Sequence, residues 1–93
     1  MGERHPRIAV LLSGSGSSLE NLLGCIDEAT VPGEVCVVVA SKENAFGLER
    51  ARRRGIPAVA VPRKEYPEVD RFNDAIHAAL APHEPELVLL LGF

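Results

Sequence analysis

Only two cysteines occur in the chain, Cys25 and Cys36. They form no CxxC pair and no Cys/His cluster, which excludes a zinc site of familiar spacing, and no metal is expected. A disulfide is not expected in a chain read as intracellular, so both cysteines read as small, buried apolar residues. Long hydrophobic runs are also missing. The unbroken apolar runs, residues 35–40 and 87–91 among them, are far short of the ~20 residues that cross a bilayer. Residues 1–7 are polar and lead straight into a short apolar segment, so no signal peptide is visible. A cytoplasmic location and no membrane partner are expected. No long basic run is present and the net charge is −3, which argues against nucleic acid as a partner. Repeats, low-complexity tracts and linkers are absent.

What is there is ordinary for a globular chain. Of 93 residues, 46% are hydrophobic and 25% are charged, which excludes a disordered tail. A unit this size buries only about 60–65% of its unfolded surface, so its stability margin is small. The chain also stops on an apolar segment, residues 87–93. We therefore expect the front part of a larger globule.

The hydrophobic pattern alternates between strand and helix. Residues 7–12, apolar after Arg7, and the apolar run 35–40 suit strands buried on both faces. Residues 58–61 form a shorter strand, and 87–91 a fourth. Between the first two, Leu19, Leu22, Leu23 and Ile26 recur at helical spacing. Ser17 and Glu20 have capping-box spacing, which sets this helix start at Ser17. Pro32-Gly33 is a turn. Asn44 is placed to cap a second helix with an inner face of Ala45, Leu48 and Ala51. Arg50, Arg52, Arg53 and Arg54 crowd its last turn, where cations face the negative dipole end. Gly55 then suits a left-handed stop, and Pro57 prevents continuation. Pro67 is placed to open a third helix, with Val69, Phe72, Ile76, Ala79 and Leu80 as its stripe and Pro82 and Pro85 at its end. The strand spacing fits βαβ units, so the expected fold is α/β: a Rossmann-like, three-layer parallel sheet, β-α-β-α-β-α-β. Ligands of such sheets sit beyond the carboxyl ends of the strands, beside strand 1.

The run Ser13-Gly14-Ser15-Gly16-Ser17-Ser18 occupies that place. Glycines permit close backbone approach and positive φ. The N–H groups of Gly16, Ser17 and Ser18 would face out of a helix N-terminus, where the dipole favours an anion. The dinucleotide fingerprint fails, because Leu19 stands where a third glycine is needed. The P-loop fails for want of a lysine. The loop suits a single phosphate, with Gly14 and Ser15 shaping it. The competing reading is a ligand-free Gly/Ser turn. Elsewhere, His5, His77 and His83 lack partners and read as surface residues. The Arg50–Arg54 cluster reads as a solvated helix end. Asp27, Glu28, Glu65, Glu68 and Asp70 read as surface acids. No catalytic Ser/His/Asp or Cys/His set can be assembled.

Residues 8–19, with their Ser13-to-Ser18 run, resemble the N-terminus of the phosphoribosylglycinamide formyltransferases. Residues 40–51, Gly55-Ile56-Pro57 and the run 87–93 ending Gly92-Phe93 match further blocks of that family in order. The resemblance implies an N-terminal half of a formyltransferase domain over 1–93. It implies an enzyme of purine synthesis that moves a formyl group from 10-formyltetrahydrofolate to glycinamide ribonucleotide. The ribonucleotide phosphate would sit on Gly16, Ser17 and Ser18; Ser18 replaces a common asparagine, which spares a backbone contact. The family's catalytic Asn, His and Asp fall after the Gly-Phe, so the resemblance assigns no catalytic residue to this chain. Most of the folate pocket falls there too. A folate-contacting arginine of the family aligns with Val69, and Arg71 would face elsewhere. The chain alone is expected to be inactive, and its fourth strand to present an apolar edge that favours self-association. The alternatives are a formyltetrahydrofolate hydrolase, a related formyltransferase, or a non-catalytic Rossmann-like phosphate-binding module.

Overall fold

A computed structural model describes residues 6–14, 16–28, 32–91 and 93. The strands are β1 (Arg7–Leu12), β2 (Glu34–Ala40), β3 (Ala58–Ala60) and β4 (Leu87–Leu91). The helices are α1 (Ser17–Asp27), α2 (Phe46–Arg53) and α3 (Val69–Leu80), with short 3-10 turns at Arg63–Glu65 and Ala81–His83. All pairings are parallel, in the order β3-β2-β1-β4. This is the expected α/β arrangement. Among the described residues no helix is long and apolar enough to cross a membrane.

Strand alternation divides the core into two layers. Ile8, Val10 and Leu12 of β1 face one side with Val35, Val38 and Ala40 of β2. Leu19 and Leu23 of α1 and Leu48 and Ala51 of α2 cover them. Ala9 and Leu11 face the other side with Val37 and Val39, under Phe72, Ile76 and Leu80 of α3. The register slips between Ile8 and Ala9, whose partners are Val35 and Val37. Cys36 is the extra residue of that bulge. It is buried, and desolvation pushes its thiol up, against the opposing charge of Arg7. Cys25 is only half-buried.

Several local expectations change. Ser17 makes no capping bond; Gly16 is the α1 N-cap, and the capping-box Glu20 turns instead to Arg50 and Arg54, each 3.7 Å away. Asn44 does not cap α2, because the chain stays extended through Ala45, which takes the N-cap place. Pro67 lies before α3 rather than in it. The first intrahelical bond runs from the Phe72 N–H to the Glu68 carbonyl, so the helix begins at Val69. Val69 is 58% exposed and leaves the stripe, since Phe72 is the first α3 residue to reach the buried layer. Val61 is buried but falls just past β3.

Arg7 ties the opposite edge of the sheet together. Its guanidinium donates to the His83 carbonyl at 2.6 and 3.0 Å and pairs with Glu34 at 3.2 Å. At the end of α2, Arg50, Arg53 and Arg54 are likewise engaged, while Arg52 is solvated. Arg54 meets Asp27 at 2.9 Å and Arg53 meets Glu49 at 3.5 Å. Exposed pairs of this kind are each worth about 0–1 kcal/mol, and of these two only Arg54–Asp27 reaches across to α1.

Candidate functional site

The loop after β1 emerges at the carboxyl edge of the sheet, beside the switch in strand order between β2 and β4. Gly16 takes φ 82° and ψ 20°, the left-handed conformation that glycine adopts without a Cβ penalty. That turn directs the chain into α1. The first intrahelical bond, from the Glu20 N–H to the Gly16 carbonyl, is 2.9 Å. The N–H groups of Ser17 and Ser18 precede it and so have no intrahelical acceptor. Both serines are exposed, as is Gly14, while Gly16 is half-buried. Ser15 lies outside the described residues, as does His5.

Helix α2 holds this loop in place. A Cβ added to Gly16 would stand 2.6 Å from the Gly47 Cα and 3.1 Å from the Arg50 Cδ. One added to Gly47 would stand 2.7 Å from a Leu12 methyl and 3.3 Å from the Gly16 Cα. The two backbones therefore touch with no room for a side chain on either. The Gly47 N–H also donates to the Gly14 carbonyl at 3.3 Å. Arg50 packs its stem beneath the loop and its guanidinium 5.0 Å from the Phe46 ring centroid.

Gly14, Gly16, Ser17 and Ser18 thus sit together at one helix mouth. Sequence reasoning missed Gly47. A signal was present, since a glycine within a helix costs about 1 kcal/mol relative to alanine and so calls for a reason. The reason is a contact between segments some thirty residues apart, which spacing alone does not reveal.

Beside the loop lies a cavity of about 790 Å³ lined in part by Ser13, Ser41, Lys42, Asn44, Lys64 and Phe93. It is walled by the segments leaving β1, β2, β3 and β4. Phe93 stacks on Phe72 with centroids 5.8 Å apart and planes 10° apart. Val69 and Arg71 lie elsewhere, and Arg71 pairs with Glu68 at 3.1 Å.

Comparison with known proteins agrees with this geometry. Residues 6–93 match the family described as formyl transferase. The chain is 36% identical over 89 residues to the trifunctional purine biosynthetic protein adenosine-3 of Chironomus tentans, across 94% of this chain and 6% of that protein. It is 31% identical over 87 residues to the phosphoribosylglycinamide formyltransferase of Haemophilus influenzae, across 94% of this chain and 41% of that one. Glycinamide ribonucleotide transformylase 1 from Symbiobacterium toebii superposes with a TM-score of 0.87 at 39% identity, over 96% of this chain and 42% of that one. The chain spans less than half the length of these relatives. With a parallel sheet in this order, a glycine-turned helix mouth after β1 and a match that runs almost end to end, the chain belongs to the formyl transferase family.

Proposed function

We propose that residues 1–93 form the ribonucleotide-binding half of a phosphoribosylglycinamide formyltransferase domain. The observation that carries this is the left-handed Gly16 turn pressed against Gly47, which opens the mouth of α1 to a ligand. The N–H groups of Gly16, Ser17 and Ser18 would receive the phosphate of glycinamide ribonucleotide, with Gly14 and Ser15 shaping the loop. Backbone donors are fixed in place before the ligand arrives, so little ordering cost is added on binding.

In the full reaction the glycinamide amine attacks the formyl carbon of 10-formyltetrahydrofolate. This chain's part is to hold the phosphate end so that the amine is presented in a fixed place. No step of formyl transfer is assigned to its residues. Val69 offers no cation to a folate carboxylate, and Arg71 is engaged with Glu68. On this reading the donor's pocket and the catalytic groups belong to the remainder of the domain.

Heating the chain with and without glycinamide ribonucleotide tests this reading. Ligand at a hundredfold excess over Kd is expected to add about 2.7 kcal/mol of stability. No protection would remove the ribonucleotide reading and favour a formyltetrahydrofolate hydrolase or a module of other specificity. Formyl transfer by the 93-residue chain at a rate near that of a longer relative would overturn the division of labour.

A second expectation concerns β4. It lies at one end of the sheet order and, among the described residues, pairs only with β1. Leu87, Val88 and Leu90 are 50%, 46% and 65% exposed. An apolar strand edge of this kind pairs readily with another chain. Sedimentation of the chain is expected to show concentration-dependent dimers, which Leu90→Lys disperses. A monomer at high concentration would count against it.

A further inference from the structure

We propose a second anion-binding subsite, apart from the loop after β1, built by Lys42 and Lys64 at the exits of β2 and β3. The chain has only two lysines, and both line the same cavity. Neither ammonium group makes a hydrogen bond, ion pair or ring contact among the described residues, and only the Lys42 backbone carbonyl accepts one, from the Ala45 N–H. Most arginines contrast with this: Arg7, Arg50, Arg53, Arg54 and Arg71 all pair with carboxylates, and Arg52, the exposed exception, does not line the cavity. Arg63, the cavity's other cation, is also engaged, lying 5.1 Å from the Phe72 ring centroid and donating to the Tyr66 carbonyl. Two uncommitted ammonium groups therefore flank one concave space, whose lining holds one carboxylate side chain, that of Glu43.

An ammonium is a compact charge with three rotatable donors, suited to an oxyanion of either phosphate or carboxylate type. A cavity with low-dielectric walls concentrates such a field. Its volume of about 790 Å³ greatly exceeds one anion, and lies within the roughly 300–1,000 Å³ of small-molecule sites. Phe93, already stacked on Phe72, and Pro62 supply an apolar wall. The ligand class that fits is a small molecule with a ring body and an oxyanion, either a phosphate ester or a carboxylate. Gly16, Ser17 and Ser18 do not line this cavity, so the subsite does not depend on the phosphate seat, although it deepens the same reading of the chain.

The test follows backbone amide resonances of the chain at low ionic strength during titration with inorganic phosphate and, separately, with benzoate. Two sets of resonances are expected to move with separate saturation curves. One covers Gly16, Ser17 and Ser18; the other covers residues 41–44, Arg63 and Lys64. Lys42→Gln with Lys64→Gln is expected to weaken the second set at least about tenfold and to leave the first within about twofold. Gly16→Val is expected to do the reverse. Tighter binding of benzoate at the second set assigns a carboxylate ligand, and tighter binding of phosphate assigns a phosphate ester. Absence of the second set, or its indifference to the lysine substitutions, overturns the subsite. Loss of the first set alone overturns the ribonucleotide reading and leaves the subsite standing.

Discussion

Gly16→Val is expected to lower affinity for glycinamide ribonucleotide by at least about tenfold, or ~1.4 kcal/mol. Two physical causes act together. The φ of 82° is strained for any residue with a Cβ and most for a β-branched one. The new Cβ would also meet the Gly47 Cα at 2.6 Å, and that atom is backbone, so the loop must move. Either response turns the N–H groups of Ser17 and Ser18 away from a common point. Ser17→Ala provides the contrast. It removes a hydroxyl but keeps the backbone donor, and should change affinity by less than about twofold, since a backbone contact needs no side chain. Calorimetric titration of both variants checks the pair. Unchanged affinity in Gly16→Val would put the phosphate seat elsewhere.

Leu48→Ala should be a strongly damaging core truncation near the site. Leu48 is 1% exposed and joins α2 to the layer formed by Val10, Leu12 and Val38. Leucine-to-alanine changes at such positions cost about 2–5 kcal/mol through lost transfer energy and an unfilled cavity. A chain of 93 residues has a total stability of about 5–14 kcal/mol, so much of the margin would go. The effect should reach the loop, because α2 carries Gly47 against Gly16. Urea unfolding should show a lower midpoint with an unchanged slope, and amide exchange at residues 16–18 should quicken. Leu48→Met, which keeps most of the volume, should cost less than about 1.5 kcal/mol. A loss below about 1 kcal/mol in Leu48→Ala would contradict the packing described, as fully buried side chains contribute more than that.

Legibility differs between elements for identifiable reasons. The strands at 7–12, 35–40 and 87–91 and the three helices follow from apolar runs and helical stripes, which are local signals. Helix starts were only partly readable. The first helix does begin at Ser17, but Gly16 rather than Ser17 holds its N-cap place, and at the other two helices Ala45 and Glu68 hold the N-cap places that Asn44 and Pro67 suggested. Glu20 illustrates why. Its spacing from Ser17 fits a capping box, but two guanidinium groups from α2 and its C-cap compete for the same carboxylate. Val69 has the spacing of the α3 stripe but stands before the first residue that reaches the sheet.

By itself the sequence determined the α/β alternation, the parallel sheet and the position of a glycine-serine loop at its carboxyl edge. Those features depend on periodicity and residue type within short windows. Tertiary structure decided the rest. It brought Gly47 against Gly16, turned Glu20 toward Arg50 and Arg54, and gathered both lysines around one cavity. Such contacts join residues distant in the chain, and only the packing of α2 on the sheet and the shared edge of four strand exits bring them together.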